Sequence, residues 1–306
     1  MHVLFCCADT RPEPWLEGLR AALPGATVSE WRPGAPQADH AVVWSPPQRF
    51  LDEQPALQAM FNIGAGVDAL LRLRLPPGVR VVRLNDAGMS VQMAEYVCHA
   101  VIRHFREFAA YGADAREGRW TLRKPRPRAD FPVGVMGLGV LGERVARALH
   151  LFEFPVHGWS RSPRALDGVV CHAGTEGFDA FLGECRVLVN LLPLTPQTQD
   201  ILNRRTLSRL REGAYLVNVA RGAHLVDEDL LALLDGGHMA GATLDVFRTE
   251  PLPAEHPFWR HPNITVTPHI SARTLRDESI AQIAGKIQAL ARGERVDGEV
   301  DPQRGY

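Results

Sequence analysis

Three apolar runs in the second half of the sequence each hand over to a residue able to move a proton or hold an anion. Val217-Asn218-Val219-Ala220 leads into Arg221-Gly222. Leu244 leads into Asp245 and then, through Val246-Phe247-Arg248-Thr249, into Glu250-Pro251. Ile264-Thr265-Val266-Thr267 leads into Pro268-His269-Ile270. Read as parallel strands of an open α/β sheet, these runs end on one edge, the edge at which such sheets bind ligands. Residues far apart in sequence can then converge. A histidine supplies a proton near neutral pH. A carboxylate beside it orients the ring and favours its protonated form, which suits Glu250 as partner of His269. An arginine grips a carboxylate with two parallel hydrogen bonds and polarises a neighbouring carbonyl, which suits Arg221. These types fit the addition of a hydride and a proton to a 2-keto acid, with His269 as proton donor and Arg221, Glu250 and His269 as the catalytic set. The chain has 12 histidines; His256 and His261 stand beside prolines in a predicted loop and are read as structural. Arg273, four residues after His269, is either a second positive charge for a pocket or half of a structural ion pair.

A hydride needs a carrier. Gly137-Leu138-Gly139-Val140-Leu141-Gly142 follows the apolar Val133-Gly134-Val135-Met136 and opens a helical pattern, the context in which G-x-G-x-x-G binds a dinucleotide. The first glycine permits the tight turn, the second lets backbone approach a pyrophosphate, and the third lets helix pack on strand. The helix N-terminus offers free N–H groups to the anion. About 20 residues on, an NAD site places an acidic residue on the ribose 2′-hydroxyl. Here the chain reads Trp159-Ser160-Arg161-Ser162, with no carboxylate before Asp167. A guanidinium flanked by hydroxyls suits a 2′-phosphate, so NADPH is the expected cofactor, with NADH weaker. The alternative is that Arg161 is a solvated loop residue.

The elements needed to position these groups are legible as alternating apolar runs and amphipathic stretches, the signature of βα units. Strands are expected at 3–6, 41–44 and 79–84, then at 132–136, 155–159, 186–191, 214–219, 241–246 and 264–267. Helices are expected at 14–23, 140–151, 176–183, 204–211, 227–235 and 272–292. A long helical pattern over 91–115 carries Ala94, Val97, Val101, Phe105 and Phe108. Residues 116–131, rich in arginine and broken by Pro125 and Pro127, read as a connector rather than a nucleic-acid patch.

The 306 residues suit two domains. With 45% hydrophobic and 23% charged residues and a net charge of −1, bulk charge points to neither nucleic acid nor membrane as partner. The five cysteines, Cys6, Cys7, Cys98, Cys171 and Cys185, show neither a paired framework nor zinc spacing. Free thiols, no metal and a cytoplasmic location are expected. The apolar run at Met1–Cys7 is too short for a signal peptide, and nothing later approaches a membrane span.

Gly137–Gly142, Leu192-Pro193-Leu194-Thr195-Pro196, Asn218–Gly222, Leu244–Pro251 and Pro268-His269-Ile270, in this order and spacing, resemble the D-isomer-specific 2-hydroxyacid dehydrogenase family. The resemblance runs nearly end to end. Val43-Trp44-Ser45-Pro46-Pro47, Gly64-Ala65-Gly66-Val67-Asp68, Asp86-Ala87-Gly88-Met89, the Trp159–Ser162 loop and the ending Arg304-Gly305-Tyr306 are similar to members that reduce glyoxylate and hydroxypyruvate. It implies an α/β fold of two domains with parallel sheets: a Rossmann cofactor domain, residues 99–274, inserted into a flavodoxin-like substrate domain, residues 1–98 and 275–306. It implies a homodimer. It assigns cofactor contacts to Gly137, Gly139, Leu141, Gly142, Ser160, Arg161, Ser162, Leu192, Pro193, Val219 and Ala220, and the nicotinamide carboxamide to Asp245. It assigns the substrate to Trp44, to backbone N–H groups of Gly64, Ala65 and Gly66, and to Arg221. Small residues at 64–66 agree with close backbone approach, although a plain turn there, and a core aromatic at Trp44, are the alternatives. The implied reaction is NADPH-dependent reduction of glyoxylate and hydroxypyruvate to glycolate and D-glycerate. The alternatives are another 2-hydroxy acid, or a nucleotide-sensing protein without catalysis. Ser271-Ala272-Arg273 departs from the small residues many members carry there.

Overall fold

Strands covered on both faces read as unbroken apolar runs, and most strands of this chain do. A computed structural model describes residues 1–301; the ending Arg304-Gly305-Tyr306 lies outside the described residues. The chain forms two compact units, Met1–Met89 with the segment beginning at Arg273, and Ser90–Ala272.

The first unit holds β1 (His2–Cys7), β2 (Thr27–Glu30), β3 (His40–Trp44), β4 (Ala59–Asn62) and β5 (Arg80–Arg83). All pair parallel, in the order β2-β1-β3-β4-β5, the flavodoxin-like arrangement. Helices Pro12–Ala22 and Arg276–Ala291 bring Leu16, Leu19, Ile280, Ile283 and Ile287 onto Val3, Phe5, Val42 and Phe61. Strand β2, Thr-Val-Ser-Glu, escapes a sequence reading because an edge strand needs only one buried residue, here Val28.

The second unit holds β6 (Val133–Met136), β7 (Val156–Ser160), β8 (Val169–Ala173), β9 (Val187–Asn190), β10 (Ala214–Asn218), β11 (Met239–Leu244) and β12 (Ile264–Val266). Their order is β12-β11-β10-β9-β6-β7-β8, all parallel. The order reverses between β6 and β9, the switch point at which doubly wound sheets bind dinucleotides. Side-chain alternation divides the core. Val133, Val135, Val187, Val189 and Val217 face Val97, Val101, Val145 and Leu149, while Leu188, Leu216, Ala242 and Leu244 face Phe181, Leu230 and Leu234. Both units are thus parallel α/β layers, as expected.

Three expected elements differ. The pattern over 91–115 is two helices, Met89–Phe105 and Phe108–Arg116. Glu107 between them has φ 55°, a left-handed conformation that no helix interior accommodates, and pairs with Arg126 at 2.9 Å. Apolar spacing carried the reading across the break, but Phe105 is buried and Phe108 is exposed. The helix expected at 204–211 is the single turn Arg204–Leu207, closed at its start by reciprocal hydrogen bonds between Asn203 and Thr206. The last helix starts at Arg276 rather than near 272. Strand β8 was not expected; it is an edge strand whose Cys171 and His172 dilute the apolar signal.

The basic stretch is largely spent on the protein itself. Arg119 and Arg123 pair with the buried Asp114 at 2.9 and 2.7 Å, and Arg128 lies over Phe105 and Phe154. Among the described residues no helix is long and apolar enough to cross a membrane.

Candidate active site

The register of the second sheet brings three strand ends to one level. Asn218 on β10 pairs with Leu244 on β11, and Leu244 with Val266 on β12. The Asp245 N–H then bonds the Asn218 carbonyl at 3.0 Å, and the Thr267 N–H bonds the Leu244 carbonyl at 3.0 Å. Arg221, Glu250 and His269 each follow one of these ends.

Glu250 and His269 meet: Nδ1 of the imidazole lies 2.8 Å from Oε2 of the carboxylate. The other carboxylate oxygen, Oε1, accepts the Phe247 N–H at 2.9 Å. Burial pulls the Glu250 carboxyl upward, but the His269 and Phe247 hydrogen bonds and the charges of His269 and Arg221 outweigh it. The net result lies below the ordinary carboxylate range. An ionised carboxylate only accepts hydrogen bonds, so Nδ1 carries the proton and donates it. That leaves Nε2 to exchange a proton with a ligand, and at 45% exposure the His269 side chain is within a ligand's reach. Arg221 is half-buried, donates from Nη1 to the Ala220 carbonyl at 2.8 Å and bears on Glu250 through its charge. The structure therefore brings the predicted catalytic residues together on one edge.

Gly222 explains the Arg-Gly pair. A Cβ on it would lie 1.8 Å from the Phe247 carbonyl carbon, so only glycine lets the β10 loop approach the segment that carries Glu250.

The nucleotide turn meets the three requirements of its motif. Gly137 has φ 97°, a Cβ at Gly142 would lie 1.7 Å from the Gly137 carbonyl oxygen, and a Cβ at Gly139 would meet nothing within 4 Å. The turn is tight, the helix Val140–Leu151 packs against it, and the middle glycine faces open space, as a pyrophosphate requires. The residues present fit a dinucleotide. Leu141 is half-buried on the first helical turn. Ser160 ends β7 and donates its hydroxyl to the Ser162 carbonyl at 2.7 Å, and Arg161 and Ser162 are exposed beyond it. Leu192, Val219 and Ala220 are buried and Pro193 half-buried at the ends of β9 and β10.

Sequence reasoning missed the residues that tie these two ends together. Asn190 Nδ2 donates to Asn218 Oδ1 and to His224 Nδ1, each at 3.0 Å. With Nδ1 as acceptor, Nε2 carries the proton toward the Pro193 carbonyl at 3.3 Å. Leu192 N–H bonds Asn190 Oδ1, Ala220 N–H bonds Asn218 Oδ1, and Asn218 Nδ2 donates to the Arg221 carbonyl. All three side chains are fully buried. A signal was present: Asn190 and Asn218 each close an apolar strand, the feature that exposed His269.

Asp245 has no exposed surface. Its carboxylate accepts the Thr267 hydroxyl at 2.6 Å and the Ile270 N–H at 2.9 Å on Oδ1, and the Ser271 N–H at 2.8 Å on Oδ2.

In the first unit Trp44 ends β3 and is half-buried. A Cβ on Gly64 would lie 2.3 Å from its ring, so Gly64 is glycine because Trp44 packs on it. Asn62, also missed, donates to the carbonyls of Gly64 and Gly66 at 2.9 and 3.0 Å. In a trans peptide the N–H points opposite to the C=O, so the Ala65 N–H faces away from Asn62. Among the described residues no cluster of three or more His, Cys, Asp or Glu side chains forms a metal site.

The sequence and the fold are similar to those of known proteins. Residues 98–271 match the family model for D-isomer specific 2-hydroxyacid dehydrogenase, NAD binding domain. The chain is 46% identical over the full length of both proteins to a glyoxylate/hydroxypyruvate reductase A of Yersinia enterocolitica. It superposes on a D-isomer specific 2-hydroxyacid dehydrogenase from Xanthobacter autotrophicus in complex with NADPH and MES, with TM-score 0.94 and 41% identity, covering 100% of this chain and 99% of that one. It superposes equally, at 36% identity and with the same coverage, on an NADPH-dependent glyoxylate/hydroxypyruvate reductase from Sinorhizobium meliloti in complex with NADP and sulfate.

The Glu250 carboxyl is expected to titrate below the ordinary carboxylate range. The ionised carboxylate that accepts the His269 Nδ1–H bond is therefore present above that range and is lost only as pH falls through the depressed value. Carbon-13 NMR of the labelled carboxyl reads this, and a midpoint at or above the ordinary value contradicts the pairing.

Proposed function

The chain belongs to the D-isomer-specific 2-hydroxyacid dehydrogenase family, and from that premise we propose that it reduces glyoxylate and hydroxypyruvate to glycolate and D-glycerate with NADPH. The observation that carries this reading is the 2.8 Å contact between His269 Nδ1 and Glu250 beside Arg221. Among family members it resembles glyoxylate/hydroxypyruvate reductase A.

NADPH, when bound, supplies the hydride that the carbonyl carbon of the keto acid receives. The chain's residues do the rest. Gly137, Gly139, Leu141 and Gly142 hold the pyrophosphate at the helix N-terminus. Ser160, Arg161 and Ser162 take the 2′-phosphate, in a stretch, 159–166, whose sequence carries no carboxylate. Leu192, Pro193, Val219 and Ala220 border the rest of the nucleotide; Asp245, expected from the resemblance at the nicotinamide carboxamide, instead has its carboxylate fully buried and taken by Thr267, Ile270 and Ser271. Arg221 binds the substrate carboxylate and polarises the carbonyl. Trp44 and the N–H groups of Gly64, Ala65 and Gly66 contact the substrate. His269 gives the proton on Nε2 to the carbonyl oxygen as it becomes a hydroxyl, and Glu250 stabilises the imidazolium before transfer.

We also read the protein as a cytoplasmic homodimer. Its five cysteines are free, and Trp120 and Leu122 are 94% and 86% exposed, apolar surface of the kind that assembly covers.

Replacing His269 by alanine is expected to lower turnover of glyoxylate by about 10²–10⁴-fold while NADPH still binds; turnover at the wild-type rate removes the proton-donor assignment. Arg161→Ala is expected to weaken NADPH by roughly 10–100-fold, the worth of a charged hydrogen bond, and to leave NADH nearly unchanged. Equal loss of both nucleotides, measured by fluorescence titration, contradicts the 2′-phosphate role.

A further inference from the structure

His269 has φ 53°. A side chain other than glycine is disfavoured in that left-handed region and persists there only where its surroundings impose it. The turn is imposed from one side. The His269 N–H bonds the Asp245 carbonyl at 2.9 Å, and the next two N–H groups, of Ile270 and Ser271, bond the two oxygens of the Asp245 carboxylate. One residue thus takes three consecutive amides of the histidine turn.

A carboxylate without exposed surface must be compensated by donors. Beyond the two amides, Asp245 Oδ1 takes the Thr267 hydroxyl at 2.6 Å, and the Thr267 oxygen lies 2.5 Å from the Tyr96 hydroxyl. The direction of this chain follows from the inventory of protons. The carboxylate accepts only, so the single Thr267 proton goes to Asp245, and Tyr96 must donate to Thr267. We infer that Tyr96 and Thr267 are positioning residues for the reaction: their hydroxyls complete the shell of Asp245, and Asp245 holds the left-handed turn that delivers the His269 imidazole to Glu250. Neither touches the imidazole; they act through the backbone of 269–271. Burial first, with the Asp245 charge, raises the Tyr96 phenol to about 12 against the opposing Thr267 bond, so it stays a donor throughout the neutral range. Tyr96 sits on the helix Met89–Phe105, beside the valine face of the core, and this gives the turn a rigid anchor. Linking hydroxyls this way in a site of low dielectric strengthens each bond.

The inference rests on the proton-donor role of His269, so its primary readout is independent of turnover. The test compares Thr267→Val, which keeps shape but removes both bonds, Thr267→Ser, which keeps the hydroxyl, and Tyr96→Phe, which removes only the outer donor. In each protein the Glu250 carboxyl is titrated by carbon-13 NMR, and kcat and the NADPH dissociation constant are measured with glyoxylate. If the turn slips, Glu250 loses its His269 donor. In Thr267→Val its midpoint is expected to rise into the ordinary carboxylate range, with kcat falling about 10–100-fold, the cost of misplacing a reacting group by about an ångström, and NADPH affinity held within about twofold. Thr267→Ser restores both readouts, and Tyr96→Phe lies between. An unmoved Glu250 midpoint in Thr267→Val overturns the inference, as does loss of NADPH affinity in step with kcat. Absence of turnover in the wild-type protein, by contrast, would count against the proposed reaction and leave the titration to decide the positioning.

Discussion

The contact between Glu250 and the Nδ1 side of His269 sets the chemical sense of the whole site. An imidazole carries its neutral-state proton on either nitrogen, and only one of those tautomers leaves Nε2 ready to take up and release a proton toward a ligand. A carboxylate held below its ordinary range remains a pure acceptor throughout the neutral region, so it fixes the proton on Nδ1. The charge of Arg221 adds the smallest of the contributions that hold the carboxylate low. Remove the pairing and the same three residues are a surface cluster on a sheet edge.

Much of the fold is arranged to make that contact repeatable. A parallel sheet puts every strand's carboxyl end on one side, and the register between β10, β11 and β12 levels three of those ends. The backbone then approaches more closely than side chains allow, which is why Gly222 faces Phe247 and Gly142 faces Gly137. Buried polar groups set the loops that follow. Asn190, Asn218 and His224 join the ends of β9 and β10, and Asp245 holds the turn after β12. These networks sit in the interior, where an unsatisfied partner is costly, and they therefore specify loop positions more sharply than apolar packing alone.

The sequence made some of this legible and hid the rest for physical reasons. Strands buried on both faces are largely apolar, so β6, β9, β10 and β11 stood out; Arg221 and Glu250 lie in the loops after β10 and β11, and His269 in the turn after β12. The G-x-G-x-x-G turn was readable because each glycine answers a separate steric demand. Edge strands β2 and β8 carry too little apolar signal to be seen. The break at Glu107 is invisible to periodicity because Phe105 and Phe108 keep helical spacing while only one of them is buried. Tyr96, Thr267 and His224 act through hydrogen bonds to partners distant in sequence, and no local pattern encodes such pairings. Asp245 was readable as a strand-end carboxylate, but its grip on the backbone of 270–271 requires the fold to be known.

The most direct test is the tautomer of the neutral His269 ring. Nitrogen-15 NMR of histidine-labelled protein, with the resonance assigned by its loss in a His269→Gln variant, reads which nitrogen is protonated. A protonated Nδ1 and bare Nε2, reverting toward a mixture in Glu250→Gln, is the predicted result. A proton resident on Nε2 in the neutral wild-type ring would contradict the account.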